Sequence, residues 1–247
     1  MNLEDYLKQP LEFEGIIDEY LDPGDAWVIF EIGACEGEDT IKLRRKYPNA
    51  QIYAFEPLPA NIKKIRANYK KYGEHNINLF QLALSDKRAK AEFFVSSGHP
   101  VGIPNSKDWD YGNKSSSLLP PKDHKRIHPW VKFDKHAVVS TERLDNFCQA
   151  HSISKIDFIY LDVQGAEKMV LEGAGNYLND VKLIWLEVEA IELYEGQPLK
   201  YDIEKFMTGK GFKRIKDTVG SIAGDQLYIN RKLTKTRPLK RLKFWSS

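Results

Sequence analysis

Short apolar runs alternate with stretches of helical periodicity along most of the chain. Residues 27–32 (WVIFEI) are apolar nearly throughout, the pattern of a strand buried on both faces of a parallel sheet. Gly33 and Gly37 break the run, and 38–47 reads as a helix that stops before Pro48. A second buried strand at 51–55 leads to Glu56, after which Pro57 and Pro59 open a helix carrying Ile62, Ile65 and Tyr69 on one face. Residues 77–83 read as a third parallel strand. Further on, 142–151 predicts a helix and 156–163 (IDFIYLDV) a buried strand. Gln164 to Glu167 start another helix, which closes near Gly173 and Gly175, and 181–188 is the next strand. A helix at 202–210 and two strands at 212–216 and 226–229, expected to pair antiparallel, complete the order. Alternation of this kind specifies an α/β fold with a mostly parallel sheet.

Two stretches depart from it. Residues 1–26 space their apolar positions at near-helical intervals, broken by Pro10 and ended by Pro23-Gly24, and predict two short helices ahead of a domain spanning 27–230. Residues 90–96 and 137–141 read as strands, with about forty irregular residues at 97–136 between them. A loop of that length is seldom idle. It holds Trp109, Tyr111, Trp130 and Phe133, four of the six histidines, and seven Lys/Arg against four Asp. We read it as a lid or acceptor-binding insertion.

The net charge of +2 hides a split, because 231–247 hold seven basic residues and no acidic one, leaving the rest of the chain at −5. With Leu233, Leu239, Leu242, Phe244 and Trp245 interleaved, this tail is read as adhering weakly to an anionic membrane surface. A solvated, disordered end is the alternative. No run approaches the roughly 18 apolar residues of a membrane span, and the N-terminus lacks the apolar segment of a targeting signal. Cys35 and Cys148 have no C-x-x-C spacing, so neither a disulfide framework nor a zinc site is indicated. A soluble, unprocessed cytoplasmic protein, at most peripheral to a membrane, is expected.

The chemistry concentrates at strand ends. Gly33 and Gly37 give E-x-G-x-x-x-G in place of the G-x-G-x-x-G of a dinucleotide fold, and Glu36 and Glu38 would repel a pyrophosphate. A carboxylate-lined loop suits a cationic ligand. S-adenosylmethionine, with a sulfonium, an ammonium and a ribose diol but no phosphate, fits; Glu56, 23 positions after Gly33, stands where an α/β unit places its ribose-binding carboxylate. Glu31 and Glu56 could also serve only as strand-end caps. Acids recur at Asp162 and Glu187, and four carboxylates at one sheet edge repel each other unless a cation or proton sits among them.

With those residues placed, the chain resembles the FkbM family of S-adenosylmethionine-dependent methyltransferases from about Trp27 to Asn230. The carrying segments are FEIGACEGEDT, YAFEPLPAN, LALSD and IDFIYLDVQGAEKMVLEGA followed by LIWLEVE, with Glu31 where the family more often has Asp. The resemblance implies a class I methyltransferase, Rossmann-like sheet, mostly parallel and seven-stranded with its last strand antiparallel, carrying an inserted hairpin and lid. It assigns cofactor binding to Glu31, Gly33, Ala34, Glu36 and Gly37, to Glu56, Pro57 and Asn61, to Ala83, Leu84 and Ser85, and to Asp162, Val163 and Gln164. The implied acceptor is a hydroxyl of a saccharide, glycan or glycosylated small molecule. Ribose methylation of RNA is the alternative, drawn from the basic insertion and tail with their aromatics, although no RNA-binding motif accompanies them. A hydroxyl acceptor needs a base or a metal. Either Asp162 with Glu187 or Glu189 holds a divalent cation such as magnesium, or His128 or His136 acts as general base.

Overall fold

The computed structural model describes residues 2–103 and 109–234. The basic tail read as a membrane-surface contact lies almost wholly outside the described residues. Two short helices, α1 (Leu3–Leu7) and α2 (Glu14–Ile17), come first. Strand β1 (Val28–Ile32) leads into α3 (Glu38–Lys46), and β2 (Gln51–Phe55) into α4 (Pro59–Tyr72). Pro59 sits in the first turn of α4, where its missing N–H costs nothing, and Gly73 in the left-handed conformation ends it. Then follow β3 (Ile77–Phe80), β4 (Ala83–Ser85), β5 (Ala89–Gly98), a 3-10 turn (Tyr111–Ser115), α5 (His124–Ile127) and β6 (Val131–Arg143). The chain continues through α6 (Leu144–Ala150), β7 (Phe158–Leu161), α7 (Glu167–Gly173), β8 (Leu183–Glu189) and α8 (Lys200–Gly209). Strands β9 (Phe212–Asp217) and β10 (Ala223–Asn230) and the short α9 (Arg231–Thr234) close it.

Seven strands form the main sheet in the order β3-β2-β1-β7-β8-β10-β9. Its pairs are parallel except that β10 runs antiparallel to both β8 and β9, so the α/β class I sheet with an antiparallel last strand is present as the family resemblance implied. One face is covered by α6, α7 and α8, through Phe147, Val170, Leu171, Ile203 and Met207 against Phe30, Ile159 and Ile184. The other carries the N-terminal segment and α3, through Phe13, Ile17, Leu43 and Tyr47 against Ile29, Ile52 and Phe158, and α4 through Ile62 and Ile65 on Ala54. Among the described residues no helix is long and apolar enough to cross a membrane.

Three expectations need correction. The strand expected at 77–83 is two strands: β3 stays in the main sheet, the chain bends at Gln81-Leu82, and β4 pairs with β6 in a second sheet of order β4-β6-β5. The hairpin strands are longer than 90–96 and 137–141, with β5 and β6 paired antiparallel from Ala89↔Thr141 to Gly98↔Val131. The insertion therefore shrinks at both ends, and what remains is pinned at two points, by bridges Phe94↔Ser117 and Pro121↔Tyr194. Glu142 lies in β6, so the helix expected at 142–151 starts at Leu144.

Candidate active site

Register alone brings the acids together. Ile32 is level with Phe55 and with Leu161, and Leu161 with Leu186, so the next residues, Gly33, Glu56, Asp162 and Glu187, form one row at the carboxyl edge of the sheet. Glu31 is not a strand-end residue; it stands inside β1 level with Ala54 and Tyr160, and Thr40 donates its hydroxyl to it. Two loops with left-handed residues, Gly33 and Cys35 in one and Gln164 and Gly165 in the other, let the backbone turn at this edge. Glu167, at the start of α7, accepts the N–H groups of Val163 (3.0 Å) and Gly165 (3.3 Å) and fixes the second loop.

Above this edge lies a cavity of about 270 Å³. Of the residues expected to bind cofactor, Glu31, Gly33, Ala34, Glu56, Pro57, Asn61, Ala83, Leu84, Asp162, Val163 and Gln164 line it, as does Glu187. Glu36, Gly37 and Ser85 do not. Glu36 accepts from Lys64 (2.8 Å), Gly37 caps α3, and Ser85 is buried in β4 beside Gly173. His128 and His136 also stand outside the lining: His128 follows α5, and His136 faces Glu92 across the hairpin at 2.6 Å on an exposed surface.

Glu56 is oriented by backbone donors, Cys35 N–H at 3.1 Å and Leu58 N–H at 2.8 Å. Gln164 Nε2 donates to Asp162 (2.9 Å) and to Glu187, while its Oε1 lies 2.9 Å from the Tyr194 hydroxyl. Glu189 is buried and does not line the cavity. The metal expectation therefore finds a poor fit: an amide donor occupies the space between Asp162 and Glu187, and among the described residues no three His, Cys, Asp or Glu converge to hold an ion.

Burial raises every acid in the row. Glu56 is pushed up to about 7 despite the opposing hydrogen bonds of Leu58, Asn61 and Cys35. Asp39 reaches about 6 through burial and the charge of Glu38, and Asp225 about 7 through burial and the charge of Asp162. Glu31 and Glu187 lie well above the carboxylate range, from burial followed by the charges of Asp39 and Asp162 respectively. Asp162 is raised by burial, with the Gln164 hydrogen bond working against it. Such a cavity retains protons at rest, and a cation entering it would release them.

Sequence reasoning missed part of the lining. Tyr6 of α1 donates to Asp39 at 2.7 Å, Tyr160 donates to the same carboxylate at 3.1 Å, and Asn113 donates to Asn61 at 2.8 Å. Lys114, Trp109 and Asp225 also line the space. Asp225 carried a readable signal, since it alternates with Leu227 and Ile229 on the core-facing side of β10. Asn113 and Lys114 carried none, because their partners are far away in the chain.

A family model described as the methyltransferase FkbM domain matches residues 31–214. The 2-O-methyltransferase NoeI of Sinorhizobium fredii (strain NBRC 101917 / NGR234) is 34% identical over 207 residues, which cover 83% of this chain and 80% of that protein. Methyltransferase 1 of Beauveria bassiana (strain ARSEF 2860) is 25% identical over 194 residues, covering 77% and 73%. Among solved structures, Aeropyrum pernix fibrillarin with bound S-adenosyl-L-methionine is 13% identical, with a TM-score of 0.46 and coverage of 91% and 76%.

Proposed function

The chain belongs to the FkbM methyltransferase family, and from that premise we propose that it methylates a hydroxyl of a saccharide, glycan or glycosylated small molecule. Its identity to a 2-O-methyltransferase over most of both chains carries this reading. S-adenosylmethionine supplies the methyl group as an activated sulfonium carbon. A cavity bounded by Glu31, Asp39, Glu56, Asp162, Glu187 and Asp225 suits that cation. We read 27–230 as the methyltransferase domain and the insertion within 97–136 as the wall that faces the acceptor.

Each residue takes a role its position supports. Glu56 accepts the ribose hydroxyls while its other lone pairs keep the Cys35 and Leu58 N–H groups. Ala83 and Leu84 border the adenine. Asp162, at the carboxyl end of β7 and held by Gln164, takes the acceptor's proton as its oxygen attacks the methyl carbon and the carbon–sulfur bond breaks toward sulfur. Glu187 keeps its own proton beside Asp162, so the pair divides into one acid and one base. No step passes through a metal. Methyl transfer is accordingly expected to survive saturating EDTA, and loss of activity restored by magnesium would refute the metal-free arrangement.

The acceptor is tested by incubating the protein with labelled S-adenosylmethionine and a panel of glycans, nucleotide sugars and RNA oligonucleotides. Label entering the glycans supports the proposal; label entering RNA alone would replace it with ribose methylation.

Glu56 can be tested by binding. Glu56→Ala is expected to weaken S-adenosylmethionine by about 1.5–3 kcal/mol, the range for hydrogen bonds to a charged group. Because the free-state carboxyl is raised to about 7 and the ribose diol is held by the ionised form, wild-type affinity should rise between about pH 6 and 8. The sign follows from proton release on binding: affinity is lost as pH falls through the raised pKa. Calorimetry in buffers of different ionisation enthalpy measures both, and Glu56→Ala should make the profile shallower and lower the number of protons released, leaving the share that Asp225 and Asp39 contribute.

A further inference from the structure

Lys114 is the one cation lining the cavity among the described residues, against seven carboxylates. It comes from the 3-10 turn of the insertion. Its ammonium contacts Glu38 at the start of α3 and lies 3.9 Å from the centroid of the Trp109 ring. Three anchors hold this turn. Gly112 packs against the backbone of Ser97 and Gly98 so closely that a Cβ would overlap it, Asn113 donates to Asn61, and Ser115 N–H donates to Ser96 at 3.0 Å. Lys114 is therefore a positioned charge on a rigid strap across the cavity. Burial is the largest single influence on its pKa and lowers it, but the charge and hydrogen bond of Glu38, together with the other acidic groups around it, raise it overall.

The ligand's own charges explain why a cation belongs here. The sulfonium and the ammonium suit an acid-lined space, but the carboxylate of the methionine moiety does not, and an isolated anion among seven carboxylates would be strongly disfavoured. An ammonium has three donors. Glu38 takes one and the Trp109 face covers a second side, which leaves capacity for one further acceptor within the cavity.

We propose that Lys114 is the counter-ion of the methionine carboxylate of S-adenosylmethionine, held in place by Glu38 and the Trp109 ring. This rests on the reading of the cavity as the S-adenosylmethionine site. It gives the insertion a part in cofactor selection: the strap recognises the amino-acid end of the ligand, while Glu56 recognises the ribose end. Trp109 is a positioning residue that acts through Lys114.

The test compares three ligands by calorimetry: S-adenosylhomocysteine, its decarboxylated analogue, and methylthioadenosine, which lacks the amino-acid end. On the wild-type protein, removing the carboxylate is expected to weaken binding by about tenfold to a hundredfold, as for a charge-assisted hydrogen bond. Lys114→Gln should lose a similar factor for S-adenosylhomocysteine, yet bind the other two within about twofold of wild type. Wild-type binding that is indifferent to the carboxylate overturns the proposal without any variant. Equal losses for all three ligands in Lys114→Gln overturn it as well, because they mark general damage to the cavity. If the wild type binds none of the three, the cofactor reading itself falls, and this inference with it.

Discussion

Gly33→Ala is expected to cost about 2–6 kcal/mol of stability and to abolish measurable cofactor binding. Two penalties combine. At φ +99° an L side chain is strained, at roughly 1–3 kcal/mol. The added Cβ would also overlap the carbonyl oxygen of Asp162, and crowding of this kind in a packed region costs typically 1–3 kcal/mol. The obstacle is backbone, so no rotamer change can relieve it. The two loops that shape the cavity touch at this point, and a shift there moves Glu56 and Asp162 together. Gly73→Ala is the matched control: its φ of +71° is also left-handed, but nothing lies within 4 Å of the added atom. That change should cost only about 1–2 kcal/mol. At about 2–4 °C of Tm per kcal/mol for a chain of this size, calorimetry separates the two. Equal losses would show that the loops can part without cost, against the close approach of Gly33 and Asp162.

What the sequence disclosed about this site followed from burial. Strands β1, β2, β7 and β8 are apolar on both faces, so their limits were visible, and each run ends at or near an acid. Parallel strands of similar length place those ends level with one another, which is why the sequence alone groups Glu56, Asp162 and Glu187. The hairpin was harder. Val131 and Phe133 are buried while Lys132 and Asp134 are exposed, a clean alternation that a reading of 97–136 as irregular passed over. The break between β3 and β4 left no mark, since no Gly or Pro interrupts 77–83 and only pairing with β6 draws the second piece away. The cavity roof was invisible for another reason. Tyr6 meets Asp39 across 33 positions and Lys114 meets Glu38 across 76, and no local pattern encodes contacts at such separations. His128 and His136 are named from residue type alone, without position, and both stand outside the cavity lining.

Position is what singles out Asp162, and Asp162→Asn is expected to lower kcat by about 10²–10⁴, the range for loss of a general base. The barrier rises by about 3–5 kcal/mol on that scale. Asparagine keeps the size of the side chain, and its carbonyl oxygen can still accept the Gln164 Nε2 donor, so the loop after β7 should keep its shape. Removal of the charge also relieves repulsion with Asp225, whose carboxyl Asp162 pushes upward. Folding stability should therefore hold or rise slightly while the rate collapses. S-adenosylmethionine affinity is expected to change far less than kcat, because Glu56 and the other acids remain. That split between kcat and Kd distinguishes a proton acceptor from a residue that only holds the cofactor, for which binding and rate would fall together. His128→Asn and His136→Asn, made alongside, should leave the rate within about threefold of wild type, as expected for groups outside the cavity. If either histidine variant loses the rate while Asp162→Asn keeps it, the base lies on the insertion, and the segment that carries it must move to reach the acceptor.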